Sequence, residues 1–277
     1  MKTIGFIDYF IDEWHANNYP DMIKNYNAAN GTDFQVKYAW AEKDGENMTT
    51  SQWCEKFGAT KCKTIKELCE KADYVMILSP SNPETHLKYA EEVFKCGKSP
   101  YIDKTFAPDY NIAKAIFELA NKYGVKFFTA SALRYATELD DYLSSKSVSV
   151  IGGGGNFEEY LIHQLEMAVK CLGVGASKVR YSAYQDQEFA EICSDDGRHA
   201  YLTYALWMPF ALIAQNQEGI SKFSNIASPF FDNLIADILN FFNSGEVSFD
   251  VNQTLEIMKI REAIIKAKGY KGQWIEF

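Results

Sequence analysis

The chain predicts a doubly wound α/β parallel sheet over residues 1–131, followed over residues 132–277 by an α+β domain with a mostly antiparallel sheet. Three observations lead there. Up to about Ser131 short apolar runs alternate with segments of helical periodicity, as in a parallel sheet covered on both faces. Within that stretch Tyr74 to Leu78 is a compact apolar run closed by Ser79-Pro80, as expected of a buried strand whose carboxyl end opens into a loop. After Ser131 the alternation stops, and a four-glycine run is followed by strand-rich segments.

In order, the first domain's strands are expected at Thr3 to Ile7, Phe34 to Ala41, Tyr74 to Leu78, Pro100 to Ile102 and Lys126 to Thr129. Helices fall between them, near Pro20 to Ala29, Ser51 to Phe57, Ile65 to Lys71, Pro83 to Cys96 and Asn111 to Tyr123. Leu87, Ala90, Val93 and Phe94 recur at helical spacing, and Gly97 and Gly124 stand where helices stop. In the second domain Val148 to Ile151 reads as a strand, Gly152 to Gly155 as a turn, and Phe157 to Leu172 as a helix. Lys178 to Ala183, Ala200 to Leu206 and Phe210 to Gln215 have strand content; Phe230 to Phe242 and Val251 to Ala267 are helical, the latter opening on a capping box, Asp250-Val-Asn-Gln253.

Composition bounds the function. With 277 residues, 47% hydrophobic and 15% aromatic, the chain can build a large core and two domains. A net charge of -9 argues against nucleic acid or an anionic membrane as partner, and favours a small-molecule ligand. The longest apolar stretch, Ala200 to Ala214, is interrupted by Thr203 and Pro209 and falls short of the ~20 residues a membrane helix needs, so no span is expected. Six scattered cysteines without a CxxC pair read as reduced thiols of a cytoplasmic protein.

Ala72 to Phe106, with a lysine at the end of its second strand, resembles the core segment of the Gfo/Idh/MocA family, named for glucose-fructose oxidoreductase and inositol dehydrogenase. Asp103-Lys104-Thr105 stands where that family usually has Glu-Lys-Pro. Gly152 to Gly173, with Glu159-x-x-x-His163, is similar to the family's glycine-rich entry and D-x-x-x-H helix, and Phe241 to Phe277 resembles its ending. The resemblance implies a Rossmann-like domain, NAD or NADP as cofactor, a sugar or polyol as substrate, and a homo-oligomer built through the second sheet. It implies a catalytic trio in which His163 is the general base, Lys104 polarises the reacting oxygen and Glu159 orients His163. The cofactor positions would be Asp8, Tyr9, Phe10, Glu42, Ser79, Pro80, Asn82 and Asp103, with Glu42 in the place of the acid that holds an adenosine ribose.

The same residues also have plainer readings. Glu159, His163, Glu166 and Lys170 form a polar stripe that a solvated helix face would show, and Asn156-x-x-Glu159 is itself a capping box. Lys104 at a strand end is by position an ordinary loop lysine, Glu42 a surface charge, and His86 a residue that caps or packs at a helix start. Glu159 and His163 lack a third ligand, so no metal is expected.

Two departures from the family stand out. Asp8-Tyr9-Phe10-Ile11-Asp12-Glu13 replaces Gly-x-Gly-x-x-Gly/Ala, setting bulk and negative charge where a pyrophosphate approaches backbone. One carboxylate ~4 Å from a phosphate costs ~4 kcal/mol at an effective dielectric of 20. The link from Arg134 to Ile151 is short for the family, so part of the substrate wall is missing. Two functions stay open: an NAD(P)-dependent oxidoreductase of a sugar or polyol, or a cofactor-less relative that binds sugars, regulates, or performs lyase or isomerase chemistry.

Overall fold

The computed structural model describes residues 1–216 and 218–277. By contacts the chain divides into two compact units, Met1–Ala130 with Leu234–Phe249, and Ser131–Asn233 with Asp250–Phe277. Helix Phe230–Ser244 thus gives most of its length to the first unit although it lies late in the chain.

In the first unit β1 (Lys2–Phe10), α1 (Trp14–Asn30), β2 (Phe34–Lys43), α2 (Thr50–Phe57), β3 (Thr60–Lys61), α3 (Ile65–Lys71), β4 (Tyr74–Ile77), α4 (His86–Lys95), β5 (Tyr101–Ile102) and α5 (Tyr110–Tyr123) follow one another. The strands form a parallel sheet in the order β3-β2-β1-β4-β5. The order turns back at β1, so the carboxyl ends of β1 and β4 flank the crevice where doubly wound sheets bind ligands. Ile4, Phe6 and Ile7 of β1 and Val75, Met76 and Ile77 of β4 are fully buried, which fixes this central pair.

Two expectations about the first unit need correction. Lys126 to Thr129 is not a strand: it makes a single bridge, Phe128 to Tyr101. The ladder ends there because the Ala130 carbonyl accepts from the Tyr101 side chain instead of a strand neighbour (3.0 Å), while Phe128 packs edge-on against Phe241 and Phe249. The first helix begins at Trp14 rather than Pro20; Pro20 sits inside it, and Glu13 caps it.

The second unit carries β6 (Ser147–Gly152), α6 (Phe157–Leu172), β7 (Ala176–Tyr184), β8 (Gln187–Ser194), β9 (His199–Tyr204), β10 (Ala211–Gln215), β11 (Ser221–Asn225), the start of α7 (Phe230–Ser244), α8 (Asn252–Ala267) and β12 (Trp274–Glu276). Its sheet order is β11-β10-β6-β9-β8-β7-β12, antiparallel except for the parallel pair β6·β9. Val148 and Val150 therefore belong to this sheet, as expected. The expected capping box of α8 does not form. Val251 is the N-cap, and the Gln253 side chain accepts from Arg134 instead.

Packing explains the glycine run. A Cβ on Gly153 would stand 1.7 Å from the Ala205 carbonyl oxygen, on Gly152 2.2 Å from the Phe210 ring, and on Gly154 2.0 Å from Tyr160. Only Gly155 has room, with its nearest neighbour at 3.9 Å.

Candidate functional site

The first unit gathers its chemistry at the carboxyl ends of β1, β4 and β5. Asp8 is 1% exposed, and its Oδ1 accepts from Tyr9 N (2.7 Å), Ser79 N (3.1 Å) and Ser79 Oγ (3.3 Å), tying the two central strand ends together. Its Oδ2 makes no hydrogen bond among the described residues. Burial first, and then the neighbouring Glu13, hold the Asp8 carboxyl well above the usual carboxylate range.

Three residues separate β1 from α1, and they are pinned. Ile11 is fully buried, and Asp12 Oδ1 accepts from Asn17 Nδ2 (3.0 Å), whose amide oxygen accepts from Trp53 Nε1 (3.1 Å). Glu13 then folds its carboxylate over the helix start: Oε2 accepts from His15 N (2.7 Å) and Oε1 from Ala16 N (2.6 Å). Glutamate is not among the favoured N-cap residues, so the sequence carried little signal for this cap. Burial raises the pKa of Glu13, against the pull of His15 and of these two hydrogen bonds.

His15 and Asp103 face each other beside this cap. His15 Nδ1 lies 2.5 Å from Asp103 Oδ2, and the Tyr19 ring stacks on the imidazole at 5.1 Å. Asp103 Oδ1 accepts from Lys104 N (2.8 Å) and Tyr101 Oη (3.1 Å). Burial pushes the Asp103 carboxyl up, but His15 and Lys104 outweigh it and hold it below the usual range. Sequence reasoning missed His15; its one signal was the helical spacing to Tyr19, which sets both rings on one face.

The other expected cofactor positions lie around this crevice. Tyr9 and Phe10 meet edge to face at 5.9 Å, and the Tyr9 hydroxyl accepts from Lys43 Nζ at 2.5 Å. Glu42, near the end of β2, accepts from Lys88 Nζ (2.9 Å) and Tyr89 Oη (2.7 Å), bonds that hold its pKa down. Pro80 is buried and Asn82 donates to Glu84 (2.9 Å). Lys104 is half-buried directly after Asp103. His86 opens α4 fully buried, with Nδ1 2.9 Å from Phe106 O and Nε2 2.7 Å from Leu78 O, which is the packing role read from the sequence.

In the second unit His163 lies half-buried on α6, its Nδ1 2.6 Å from Ser131 Oγ. Ser131 N donates to Glu166 Oε1 (3.0 Å), and Arg134 Nη1 donates to Glu166 Oε2 (3.0 Å). Glu166 is therefore no solvated residue of a polar stripe: it is 5% exposed and paired with an arginine that is 4% exposed. Neither Ser131 nor Arg134 lies near α6 in sequence, which is why this support was illegible. Glu159 N donates to Asn156 Oδ1 (2.9 Å) and the Glu159 carboxylate accepts from Asn156 Nδ2 (3.0 Å), so Asn156 does cap α6.

The family's dinucleotide can be tested against these residues. A pyrophosphate needs free N–H groups at the start of α1 and a backbone bare enough to approach. Here the first-turn N–H groups already bond Glu13, and Asp8 with bulky Tyr9 and Phe10 takes the glycines' place. The residues present do not fit the group.

A doubly wound parallel sheet followed by a mostly antiparallel one is also the architecture of solved structures similar to this chain. Residues 20–131 match the family model GFO_IDH_MocA, described as an oxidoreductase family with an NAD-binding Rossmann fold, so the resemblance read from the sequence holds for that segment. The match begins beyond the Asp8 to Glu13 loop. Among solved structures, a putative myo-inositol dehydrogenase from Sinorhizobium meliloti is 13% identical with a TM-score of 0.77, covering 100% of this chain and 99% of that one. GenD2 of gentamicin A biosynthesis, in complex with NAD, is 14% identical with a TM-score of 0.79, covering 100% and 97%. A UDP-N-acetylglucosamine 3-dehydrogenase from Acidithiobacillus ferrooxidans is 15% identical with a TM-score of 0.74, covering 96% and 97%. At such identities the likeness is one of fold. No curated protein matches the chain.

Proposed function

We propose that this protein acts on a sugar- or polyol-like small molecule by proton transfer, as a lyase or isomerase, without a hydride step. The observation that carries the reading is the 2.6 Å contact of Ser131 Oγ with His163 Nδ1, backed by the buried Glu166–Arg134 pair, which holds the imidazole in one orientation. In this reading His163 takes a proton from the carbon next to a substrate carbonyl. For isomerisation the proton returns at the former carbonyl carbon while the neighbouring hydroxyl proton passes to the enediolate oxygen; for elimination a β-hydroxyl takes the proton back from His163 and leaves as water. Glu159 is assigned to orientation of His163.

Solvent exchange tests it. The protein is incubated in D2O with a panel of keto sugars and sugar acids, and deuterium at carbon is followed by NMR. Incorporation that His163→Asn lowers by ~100-fold or more supports the proposal. The second reading, an NAD(P)-dependent oxidoreductase, is favoured by the NAD-binding description of the matching family and by Glu42 near the end of β2. Polyol-dependent reduction of NAD or NADP without deuterium exchange would establish it in place of the first.

A further inference from the structure

We infer that Glu13 serves as the chain's own stand-in for a dinucleotide phosphate, and that this residue, rather than Asp8, closes the α1 anion seat. By charge alone Asp8 is the obvious barrier, because it occupies the first glycine's place. Its surroundings say otherwise. Asp8 is sealed between β1 and β4, its Oδ1 accepts three hydrogen bonds from Tyr9 and Ser79, and burial favours its protonated form.

Glu13 is placed differently, at the start of the helix itself. Its two carboxylate oxygens take the N–H groups of His15 and Ala16, the donors that a helix N-terminus offers to a phosphate. Both bonds are short, and α1 is 17 residues long, so the seat has a full helix behind it. The carboxylate is tethered. Glu13 N donates to Ile11 O (2.9 Å), Asn17 N to Glu13 O (3.0 Å), and Asp12 is held through Asn17 to Trp53. An external phosphate therefore competes with an internal anion already bound at very high effective concentration. This conclusion concerns the seat alone and stands apart from the proton-transfer reading.

The test is calorimetric titration of the full chain with inorganic pyrophosphate and, separately, NADH. Wild type, Glu13→Gly and Asp8→Asn are compared, with circular dichroism confirming the fold of each. Glu13→Ser, which keeps an N-cap hydroxyl, replaces Glu13→Gly should the latter unfold. The expected result is at least tenfold tighter pyrophosphate binding by the Glu13 variant, with Asp8→Asn indistinguishable from wild type. A folded Glu13 variant that gains nothing overturns the inference, as does an Asp8→Asn protein that opens the seat on its own, or a wild type that binds pyrophosphate as tightly as the variant. The proton-transfer reading is left untouched by any of these outcomes, because deuterium exchange judges it separately.

Discussion

Replacing Asp8 with asparagine should change how stability depends on pH. In the folded chain the pKa of Asp8 is raised well above the usual range by burial and then by Glu13, whereas in the unfolded chain it ionises near pH ~3.9. The stability it contributes is thus complete below that pH and is lost as pH rises towards its folded pKa, at about 1.4 kcal/mol per pH unit for one proton. Glu13, also raised, slopes the same way; Asp103, held low by His15 and Lys104, slopes the other way and is lost as pH falls. Asparagine keeps an oxygen for Tyr9 N and Ser79 N and removes the titration. Urea unfolding of both proteins at pH 4.0, 5.0 and 6.0 reads the difference. The two should be close at the lowest pH, with the variant ahead by a margin that grows with pH. A constant margin, or a wild type that gains on the variant, would refute a raised Asp8 pKa.

Other consequences are as direct. Arg134→Met leaves Glu166 buried without its cation and should cost ~3–5 kcal/mol in urea unfolding, whereas the double variant with Glu166→Leu should recover much of it. Gly153→Ala drives a methyl into the Ala205 carbonyl and should lower the melting temperature by several degrees, about 1–3 kcal/mol or more, while Gly155→Ala, with open space, should be near neutral. We also propose a homo-oligomer through the second sheet: Tyr201, Ser149, Ile213 and Phe223 lie in one cross-strand row, and Tyr201, Ile213 and Phe223 are exposed while Ala200, Leu202, Val148, Val150, Leu212 and Ala214 are buried on the other face. Light scattering at micromolar concentration should show it, and Ile213→Lys with Phe223→Lys should yield monomers; a monomeric wild type would end that proposal.

The sequence made the scaffold legible because burial leaves its mark in local pattern. Tyr74 to Leu78 is apolar because β4 is buried on both faces, and Gly97 and Gly124 end helices with left-handed backbone that glycine adopts freely. Where local pattern was shared by two structures, the reading slipped: Pro20 suits a helix start, and only Glu13 reaching over His15 and Ala16 shows that α1 begins at Trp14. The parts of the site that stayed hidden are joined only in space. Ser131 and Arg134 meet α6 across some thirty residues, and His15 and Asp103 meet between the ends of β1 and β5, far apart in sequence, so neither pairing had a spacing to betray it.

The central claim, that this fold has been closed to the dinucleotide it usually carries, is tested most directly by titrating the unaltered protein with NADH and NADPH in a calorimeter. A seat already filled by its own carboxylate, at a cost of about 4 kcal/mol to an incoming phosphate, should bind both no tighter than roughly millimolar. Micromolar binding of either nucleotide would contradict it.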